Sequence, residues 1–297
     1  MLILIADAFD AELPGTLTTL GEVTDDPTRL AEAAVVLVRS KTKCTKEYID
    51  SAPNLKLIIR GGVGIDNIDK EYAESKGIVV RNTPKASSIA VAELAFSLML
   101  SVPNMIITAH KGMSEGRWLK KEIKRTELFG KTLCLIGIGN IAKEVAKRAS
   151  AFGMKVVAYD KYVAESAVAD MKDTIEEAVK EADYISMHLP LTPDTTGLFN
   201  KNLIAECDKK PVVINTGRGG CIDADDMVDA LNNGTISWYA VDVWPSDPPS
   251  PDYPILNAPN TTMTPHIGAG SKENLLRIGQ EAYAIIEEVM QSQGGVS

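Results

Sequence analysis

The chain has 297 residues, of which 45% are hydrophobic and 24% charged, so one large or two medium globular domains are expected. The formal net charge of −9 argues against a nucleic-acid partner and against an anionic membrane surface, since both need a basic face. There is no apolar run of about 20 residues and no basic signal-peptide start, so a cytoplasmic location is expected. The 4 cysteines are scattered without metal-ligand spacing, and no metal site is predicted.

Four short apolar runs begin the chain, and polar or helix-like sequence follows each of them. They cover residues 2–6, 35–38, 55–59 and 78–80. Continuous apolar strands that alternate with helices indicate a parallel sheet covered on both faces. A helical pattern then covers residues 87–102, and Pro103 marks its end or a kink.

A second series of strands follows a basic stretch. Together the two series predict an α/β protein with two doubly wound, Rossmann-like lobes, of which the first ends near residue 86. A final helix over residues 272–291 is predicted to pack on either lobe. The strands of the second series are predicted at residues 132–136, 155–160, 184–189, 212–216, 238–243 and 261–266.

The segment that joins the first two strands of the second series is typical of dinucleotide binding. Gly137 allows a tight turn, Gly139 leaves room for a pyrophosphate to approach the backbone, and Ala142 takes the small position where helix and strand pack. The helix N-terminus supplies partial positive charge and free N–H groups for the phosphates. Asp160 ends the next strand, where its carboxylate can accept hydrogen bonds from ribose hydroxyls and repel a 2′-phosphate. The pattern therefore favours NAD over NADP, although Lys161 follows the acid.

Polar residues follow three of the later strands. Arg218 comes directly after one strand in a glycine-rich turn, where Gly217 lets a ligand approach the backbone, and a guanidinium can bind a carboxylate with two hydrogen bonds. Asp247 lies in a proline-rich loop after another strand, and His266 follows the last one. Each is also explained by a turn or an exposed loop, so the residues alone leave both interpretations open.

These three residue types fit hydride transfer from a 2-hydroxy acid. Oxidation removes a hydride from C2 and a proton from the hydroxyl group. Histidine titrates in the range that a base for this proton needs, and a neighbouring carboxylate orients the imidazole ring. An arginine holds the substrate carboxylate and polarises the C2 oxygen.

Five segments, in order, resemble the D-isomer-specific 2-hydroxyacid dehydrogenases: "GIGNIA", "ADYISMHLPLTPDTTGLF", "VINTGRGGCID", "AVDVW" and "TPHIGAGSKE". The likeness runs from about residue 50 to the C-terminus and is weaker before that. It implies that Arg218 and His266 are catalytic. The third catalytic residue of the family is usually a glutamate before proline, and here Asp247, one methylene shorter, stands before Pro248.

The resemblance also implies the cofactor, the domains and the assembly. It implies a substrate-binding domain of residues 1–86 plus 268–297, an NAD-binding domain of residues 87–267, an active-site cleft between them, and a homodimer joined through the helical region after residue 86. Asp242 is expected to face the nicotinamide carboxamide, and His188 is similar to a strand-end residue near the cofactor rather than to a base. The implied NAD contacts beyond Gly137, Gly139, Ala142, Asp160 and Gly217 are Thr83, Asn140, Ile141, Leu189, Pro190, Thr195, Thr216, Asp242, Gly268 and Ala269.

Residues 57–87 look most like the phosphoglycerate dehydrogenases of the family. In that likeness Arg60 lies near the substrate phosphate, with Arg81 and Lys85 adding charge, and the backbone of Gly62, Val63 and Gly64 binds the substrate carboxylate. The expected reaction is the reversible oxidation of 3-phospho-D-glycerate to 3-phosphohydroxypyruvate in serine biosynthesis. Because the sequence stops after the final helix, inhibition through a C-terminal serine-sensing domain is not expected.

Two alternatives stay open. A glyoxylate or hydroxypyruvate reductase of the same family would share the cofactor and the mechanism, and Arg60 with its basic neighbours is the feature that distinguishes it. An NAD(H)-sensing corepressor, a binding protein on the same fold, would not need the Arg218 and His266 pair.

Overall fold

The structure is a computed structural model that describes residues 1–294 of the chain. Its internal contacts divide the chain into two compact units. The first unit is Met1–Ala90 together with the chain from Ala269 onward, and the second unit is Val91–Gly268. The last residues of the predicted segment 268–297, numbers 295–297, lie outside the described residues.

The first unit contains a parallel sheet made of β1 Leu2–Ile5, β2 Glu22–Thr24, β3 Ala33–Val38, β4 Leu57–Arg60 and β5 Val79–Asn82. The strand order is β2-β1-β3-β4-β5, and each neighbouring pair is parallel. Strands β1, β3 and β4 are buried along nearly their whole length. This is the pattern of a sheet covered on both faces, as the continuous apolar runs predict.

The first unit's helices cover both faces of that sheet. They include α1 Leu13–Leu17, α2 Lys46–Asp50 and α3 Lys70–Ser75, together with the C-terminal helix Lys272–Gly294 and a 3-10 helix at Pro27–Glu32. Ala282 and Ile286 of the C-terminal helix share one core with Leu13 and Leu17 of α1. The sequence alone left the packing of this helix open, and the structure assigns it to the first unit.

The second unit contains a larger parallel sheet in the order β12-β11-β10-β9-β6-β7-β8, with pairs that are parallel throughout the described residues. Strand order reverses at β6, which lies between β7 and β9, and ligands of such sheets bind beyond the carboxyl ends of the strands at this point. Its strands are β6 Thr132–Ile136, β7 Lys155–Tyr159, β8 Asp170–Met171, β9 Tyr184–Met187, β10 Val212–Asn215, β11 Trp238–Val241 and β12 Thr261–Met263. The helices that accompany them are α4 Ser88–Ser101, α5 Ile106–Ser114, α6 Asn140–Ala151, α7 Ile175–Lys180, α8 Lys201–Ala205 and α9 Ala224–Asn233. The C-terminal helix of the first unit, Lys272–Gly294, is α10.

The predicted parallel α/β architecture is confirmed. Strands β2 and β8 are absent from the prediction because they are edge strands of only 3 and 2 residues, too short to produce a periodic pattern. Among residues 1–294, no single helix is long and apolar enough to cross a membrane. One bent pair, α4 and α5 at 65° to each other, satisfies the length and composition criteria jointly. The buried face of α4 is an ordinary reason for such a composition, because Ala92, Ala95 and Met99 are fully buried in a core.

Candidate active site

The glycine turn after β6 leaves the start of α6 open to a ligand. Gly137 has a φ of +89°, and a Cβ there would lie 2.8 Å from the main-chain oxygen of His188, so only glycine fits. Gly139 is the N-cap of α6 without a side-chain cap from the described residues, and its Cβ position faces open space. Ala142, one turn on, is fully buried in the core. A helix of 12 residues therefore presents uncapped N–H groups at the place where a pyrophosphate fits.

Asp160 is bound to that turn. Its Oδ2 accepts a hydrogen bond from the Ile138 N–H at 2.9 Å, and its Oδ1 accepts one from the Tyr162 N–H at 2.9 Å. Each carboxylate oxygen keeps a second lone pair for a ribose hydroxyl. Lys161 pairs with Asp194 instead, at 2.7 Å between Nζ and Oδ2, and each raises the charged population of the other: the pKa of Lys161 is raised and that of Asp194 is lowered.

The loops after β9 and β10 pack against each other. Thr195 Oγ1 donates to the Pro190 carbonyl at 2.6 Å and closes the loop after β9. A Cβ on Gly217 would lie 3.1 Å from the Met187 oxygen and 3.2 Å from the Leu189 oxygen, so the backbones are close. Thr216 is buried, and its hydroxyl has no hydrogen-bond partner among residues 1–294. A buried hydroxyl without a partner is uncommon in folded proteins. Asn140 is exposed and Ile141 half-buried at the start of α6.

His188 is a neutral imidazole at the end of β9. Burial lowers its pKa from 6.5 to about 4, since the charged form loses its hydration. Its Nε2 forms a hydrogen bond of 2.9 Å with the Ser186 hydroxyl, while Nδ1 has no partner among the described residues. An imidazole with so low a pKa is a poor proton acceptor near pH 7.

Asp242 fastens the segment around His266. It is 1% exposed, and its carboxylate accepts three hydrogen bonds from that segment. Oδ1 accepts from the Thr264 hydroxyl at 2.6 Å and from the Ile267 N–H at 2.9 Å, and Oδ2 accepts from the Gly268 N–H at 2.8 Å. A buried carboxylate with several donors is held in place, and it holds those donors in return.

His266 and Asp247 are in direct contact. The His266 Nδ1–H donates to Asp247 Oδ2 at 2.5 Å, and the two side chains are 29% and 35% exposed. His266 has a φ of +55°, a left-handed conformation that is uncommon for a non-glycine residue and concentrates at functional sites. The shorter aspartate side chain therefore reaches the ring, and the hydrogen bond at Nδ1 leaves Nε2 as the proton-accepting nitrogen.

Arg218 follows β10 on a turn that a buried amide holds. Asn215, fully buried, donates from Nδ2 to the Arg218 carbonyl at 3.0 Å and to the Tyr239 hydroxyl at 3.2 Å, and its Oδ1 accepts from the Gly217 N–H at 3.0 Å. The Arg218 guanidinium donates to the Gly217 carbonyl at 2.7 Å. Arg218 is half-buried.

In the first unit, Arg60 is the last residue of β4. Its guanidinium lies against Gly62, where a Cβ would be 1.6 Å from a guanidinium nitrogen. The loop Gly62-Val63-Gly64 is held by Asn82, whose Nδ2 donates to the Val63 carbonyl at 2.5 Å.

Thr83 and Ala269 also belong to the first unit. Thr83 is buried and its hydroxyl has no partner within residues 1–294, whereas its N–H donates to the Arg60 and Gly62 carbonyls at 3.2 and 3.1 Å. The Ala269 carbonyl accepts from Arg39 at 3.0 Å and from Asn274 at 2.9 Å. Arg81 and Lys85 are exposed.

Comparison with known protein families identifies the family to which the chain belongs. Residues 96–268 match the family model described as the NAD-binding domain of the D-isomer-specific 2-hydroxyacid dehydrogenases. The chain belongs to this family. The predicted family and the predicted cofactor, NAD, are thereby confirmed, and the second unit carries the NAD-binding domain.

Relatives of this chain within the family are named after different substrates. The chain is 43% identical to a D-3-phosphoglycerate dehydrogenase from Methanocaldococcus jannaschii over 89% of this chain and 51% of that one. It is 42% identical to a hydroxypyruvate reductase from Thermotoga maritima over 89% of this chain and 86% of that one. The chain thus spans about half the length of the phosphoglycerate dehydrogenase it matches and most of the reductase.

A solved structure of D-lactate dehydrogenase from Aquifex aeolicus, complexed with NAD and lactic acid, has the same fold. It superposes with a TM-score of 0.87 at 27% identity, over 98% of this chain and 96% of that one. The named substrates of these relatives do not coincide, so membership of the family does not identify the individual hydroxy acid.

Two site residues escape prediction from the sequence. Asn215 and Thr264 act through side-chain hydrogen bonds to other loops, and neither belongs to a motif with a mechanism of its own. Their only signal is a polar residue at the end of a buried strand, which for Asn215 is a fully buried amide. Within residues 1–294 no group of three or more His, Cys, Asp or Glu side chains is arranged to hold a metal ion.

Proposed function

We propose that this chain is an NAD-dependent dehydrogenase that oxidises a D-2-hydroxy acid to the 2-keto acid and releases NADH and a proton. The observation that carries the proposal is the Nδ1–H bond of 2.5 Å from His266 to Asp247 in a unit built as an NAD-binding domain. When bound, NAD would accept the hydride that leaves C2 of the substrate. The uncapped start of α6 and the carboxylate of Asp160 fit its pyrophosphate and ribose, and the buried, unpaired hydroxyl of Thr216 offers a further polar contact.

The geometry of His266 determines which ring nitrogen accepts the substrate proton. With Nδ1–H committed to Asp247, Nε2 of His266 accepts the proton of the substrate hydroxyl during oxidation and returns it during reduction. The Asp247 carboxylate fixes this tautomer and stabilises the imidazolium that forms. Arg218 binds the substrate carboxylate through parallel N–H donors and polarises the C2 oxygen.

For the individual substrate we propose 3-phospho-D-glycerate, with serine biosynthesis as the setting. Arg60 would bind the phosphate, and the backbone N–H groups of Gly62, Val63 and Gly64 would bind the carboxylate. The support is the guanidinium that lies over Gly62 and the 43% identity to a D-3-phosphoglycerate dehydrogenase. The second candidate is reduction of hydroxypyruvate or glyoxylate, which is favoured by the match to 86% of a hydroxypyruvate reductase.

Steady-state assays separate these candidates. Wild-type protein is assayed with NAD and NADP against 3-phosphoglycerate, glycerate and lactate, and in reverse against 3-phosphohydroxypyruvate, hydroxypyruvate and glyoxylate. Arg60→Ala should raise KM for the phosphorylated substrate at least ten-fold more than KM for glyoxylate, since only the former carries a phosphate. Lys76→Ala, which removes a surface cation paired with Asp50 at 3.3 Å in the same unit, is the matched control. Equal effects of Arg60→Ala on both substrates would refute the phosphoglycerate assignment, and no turnover with any hydroxy acid would favour a binding protein of the corepressor kind.

We also propose that two copies pair through the apolar side chains that follow α4. Ile106, Ile107, Met113 and Trp118 are 56%, 54%, 56% and 73% exposed. Met113 and Trp118 line a surface cavity of about 420 Å³ with Leu119. Such a patch is costly to leave in water, and a second copy would cover it. Sedimentation should give a dimer for wild type and for Tyr162→Glu, another exposed aromatic, but a monomer for Trp118→Glu; a wild-type monomer would refute the pairing.

A further inference from the structure

Trp244 contacts the segments that carry the proposed acid–base pair. It lies three residues after β11, and its indole Nε1–H donates to the Thr264 carbonyl at 3.1 Å, two residues before His266. Its ring meets the Tyr253 ring edge-on, with centroids 6.0 Å apart and planes at 83°. Asp247 lies between Trp244 and Tyr253 in the chain. The two aromatic rings therefore close the loop that holds Asp247, and the indole N–H ties that loop to the segment of His266.

The main chain of Trp244 also touches the turn of Arg218. A Cβ on Gly219 would lie 2.5 Å from the Trp244 carbonyl carbon and 2.8 Å from the Pro245 nitrogen. The Gly219 backbone is therefore packed directly on the peptide bond between residues 244 and 245. No side chain fits between them, so the turn after Arg218 is registered against the loop of Asp247.

A simple packing role does not require these features. Trp244 and Tyr253 are partly buried against one core of the second unit, and a phenylalanine at 244 would fill much of the same space. What phenylalanine lacks is the N–H that reaches Thr264. The indole N–H is the group that couples the two loops, because a lost donor leaves the Thr264 carbonyl unpaired and its segment free to shift.

We propose that Trp244 is a positioning residue: its indole N–H and its ring hold His266 and Asp247 in the arrangement for proton transfer, while its peptide bond sets the turn of Arg218. The proposal rests on the proposed function for its catalytic readouts. A displacement of about 1 Å is enough to reduce turnover strongly in an oriented site.

The chain offers a matched control in Trp238. Its indole Nε1–H donates to the Thr262 hydroxyl at 3.0 Å, which also links β11 to the β12 strand, but away from the loops of the site. Trp238→Phe and Trp244→Phe each remove one indole N–H donated to an oxygen. A purely structural effect should be similar in the two variants.

The experiment compares these variants in the full chain with saturating NAD and the best hydroxy acid. Trp244→Phe should lower kcat roughly ten-fold, with KM within about two-fold, and should move the acid limb of the pH–rate profile. Trp238→Phe should leave kcat and the profile unchanged at a comparable loss of Tm. Gly219→Ala should instead raise KM, because it displaces Arg218. Equal kcat and pH profiles for the two tryptophan variants would overturn the proposal.

Two further measurements keep the test independent of folding and of activity. Should Trp244→Phe fail to fold, Tyr253→Leu removes the ring contact alone, and it should reproduce the shifted pH limb; an unchanged profile in that variant overturns the proposal. NMR of protein labelled with ¹⁵N at histidine is simple because the chain has 3 histidines. The His266 Nδ1 signal should change in Trp244→Phe and not in Trp238→Phe, and an unchanged signal overturns the proposal even if wild type turns over no hydroxy acid. Absence of turnover by wild type, in contrast, refutes the proposed function only.

Discussion

We predict that the ion pair between Lys161 and Asp194 limits the use of NADP by this chain. Lys161 follows the proposed ribose ligand Asp160, and its ammonium is 2.7 Å from the Asp194 carboxylate. A 2′-phosphate would therefore meet two carboxylates and one ammonium that is already paired. Asp194→Asn removes one negative charge and frees Lys161, so we expect a gain in NADP use without a loss in NAD use.

The size of the gain follows from charge and distance. The two side chains are 58% and 66% exposed, so solvent screens the pair and the effect is modest. In water, two unit charges about 7 Å apart change an affinity roughly three-fold. A phosphate carries nearly two charges, so removal of one carboxylate corresponds to a rise of roughly five- to ten-fold in kcat/KM for NADP. NAD has no 2′-phosphate, and its kcat/KM should stay within about two-fold.

The assay is a double-mutant cycle of Asp194→Asn, Lys161→Ala and both, measured with NAD and NADP at low and high salt. The gain for NADP should disappear in the double variant and shrink at high salt, since it depends on a free ammonium. An Asp194→Asn variant whose NADP efficiency equals that of wild type would refute the reasoning, as would an equal gain for NAD.

Three further predictions concern the acid–base pair, the buried histidine and the glycine turn. Asp247→Asn should lower kcat about 100-fold and shift the acid limb of the pH–rate profile, while Asp247→Glu, which keeps a carboxylate, should retain most of the activity; matching profiles for the two variants would count against Asp247. The pKa of His188 is about 4 in the folded protein and near 6.5 when exposed, so the unfolded chain binds more protons between these pH values, and the free energy of unfolding falls by up to about 3 kcal/mol as pH drops from 6.5 to 4. Urea unfolding at pH 7 and 4.5 should show a smaller loss of stability for His188→Gln than for wild type, and an equal loss would contradict the low pKa of His188. Gly137→Ala should lower both Tm and NAD affinity because its Cβ meets the His188 carbonyl, whereas Gly139→Ala should lower NAD affinity alone because its Cβ occupies open space. NAD titrations with parallel melting curves test both variants, and undiminished NAD affinity in Gly139→Ala would show that the pyrophosphate does not bind close to Gly139.

The β6–α6–β7 unit is predictable from sequence because its signals are local. A fully apolar run, a glycine turn and an acid at the next strand end all fall within 29 residues, and strand 132–136 is observed where it is predicted. The edge strands β2 and β8 are not predictable, since neither is long enough for alternation nor buried enough for a continuous apolar run.

The candidate site is predictable residue by residue but not in its connections. Arg218, Asp247 and His266 are named by motif, whereas the contact of Asp247 with His266 depends on how a proline-rich loop folds over 19 residues. The pairing of Lys161 with Asp194 spans 33 residues. Such pairings follow from the meeting of parallel strand ends in three dimensions, which no local pattern records.

The Asp242 carboxylate has a consequence for protein engineering. One side chain accepts hydrogen bonds from the hydroxyl of Thr264 and from the amides of Ile267 and Gly268, so it fastens both ends of the five-residue segment that contains His266. Libraries aimed at a broader range of hydroxy acids should therefore leave position 242 unchanged. Randomising position 242 would remove the hydrogen bonds that hold the segment of His266, the proposed general base, so most members of such a library should be inactive.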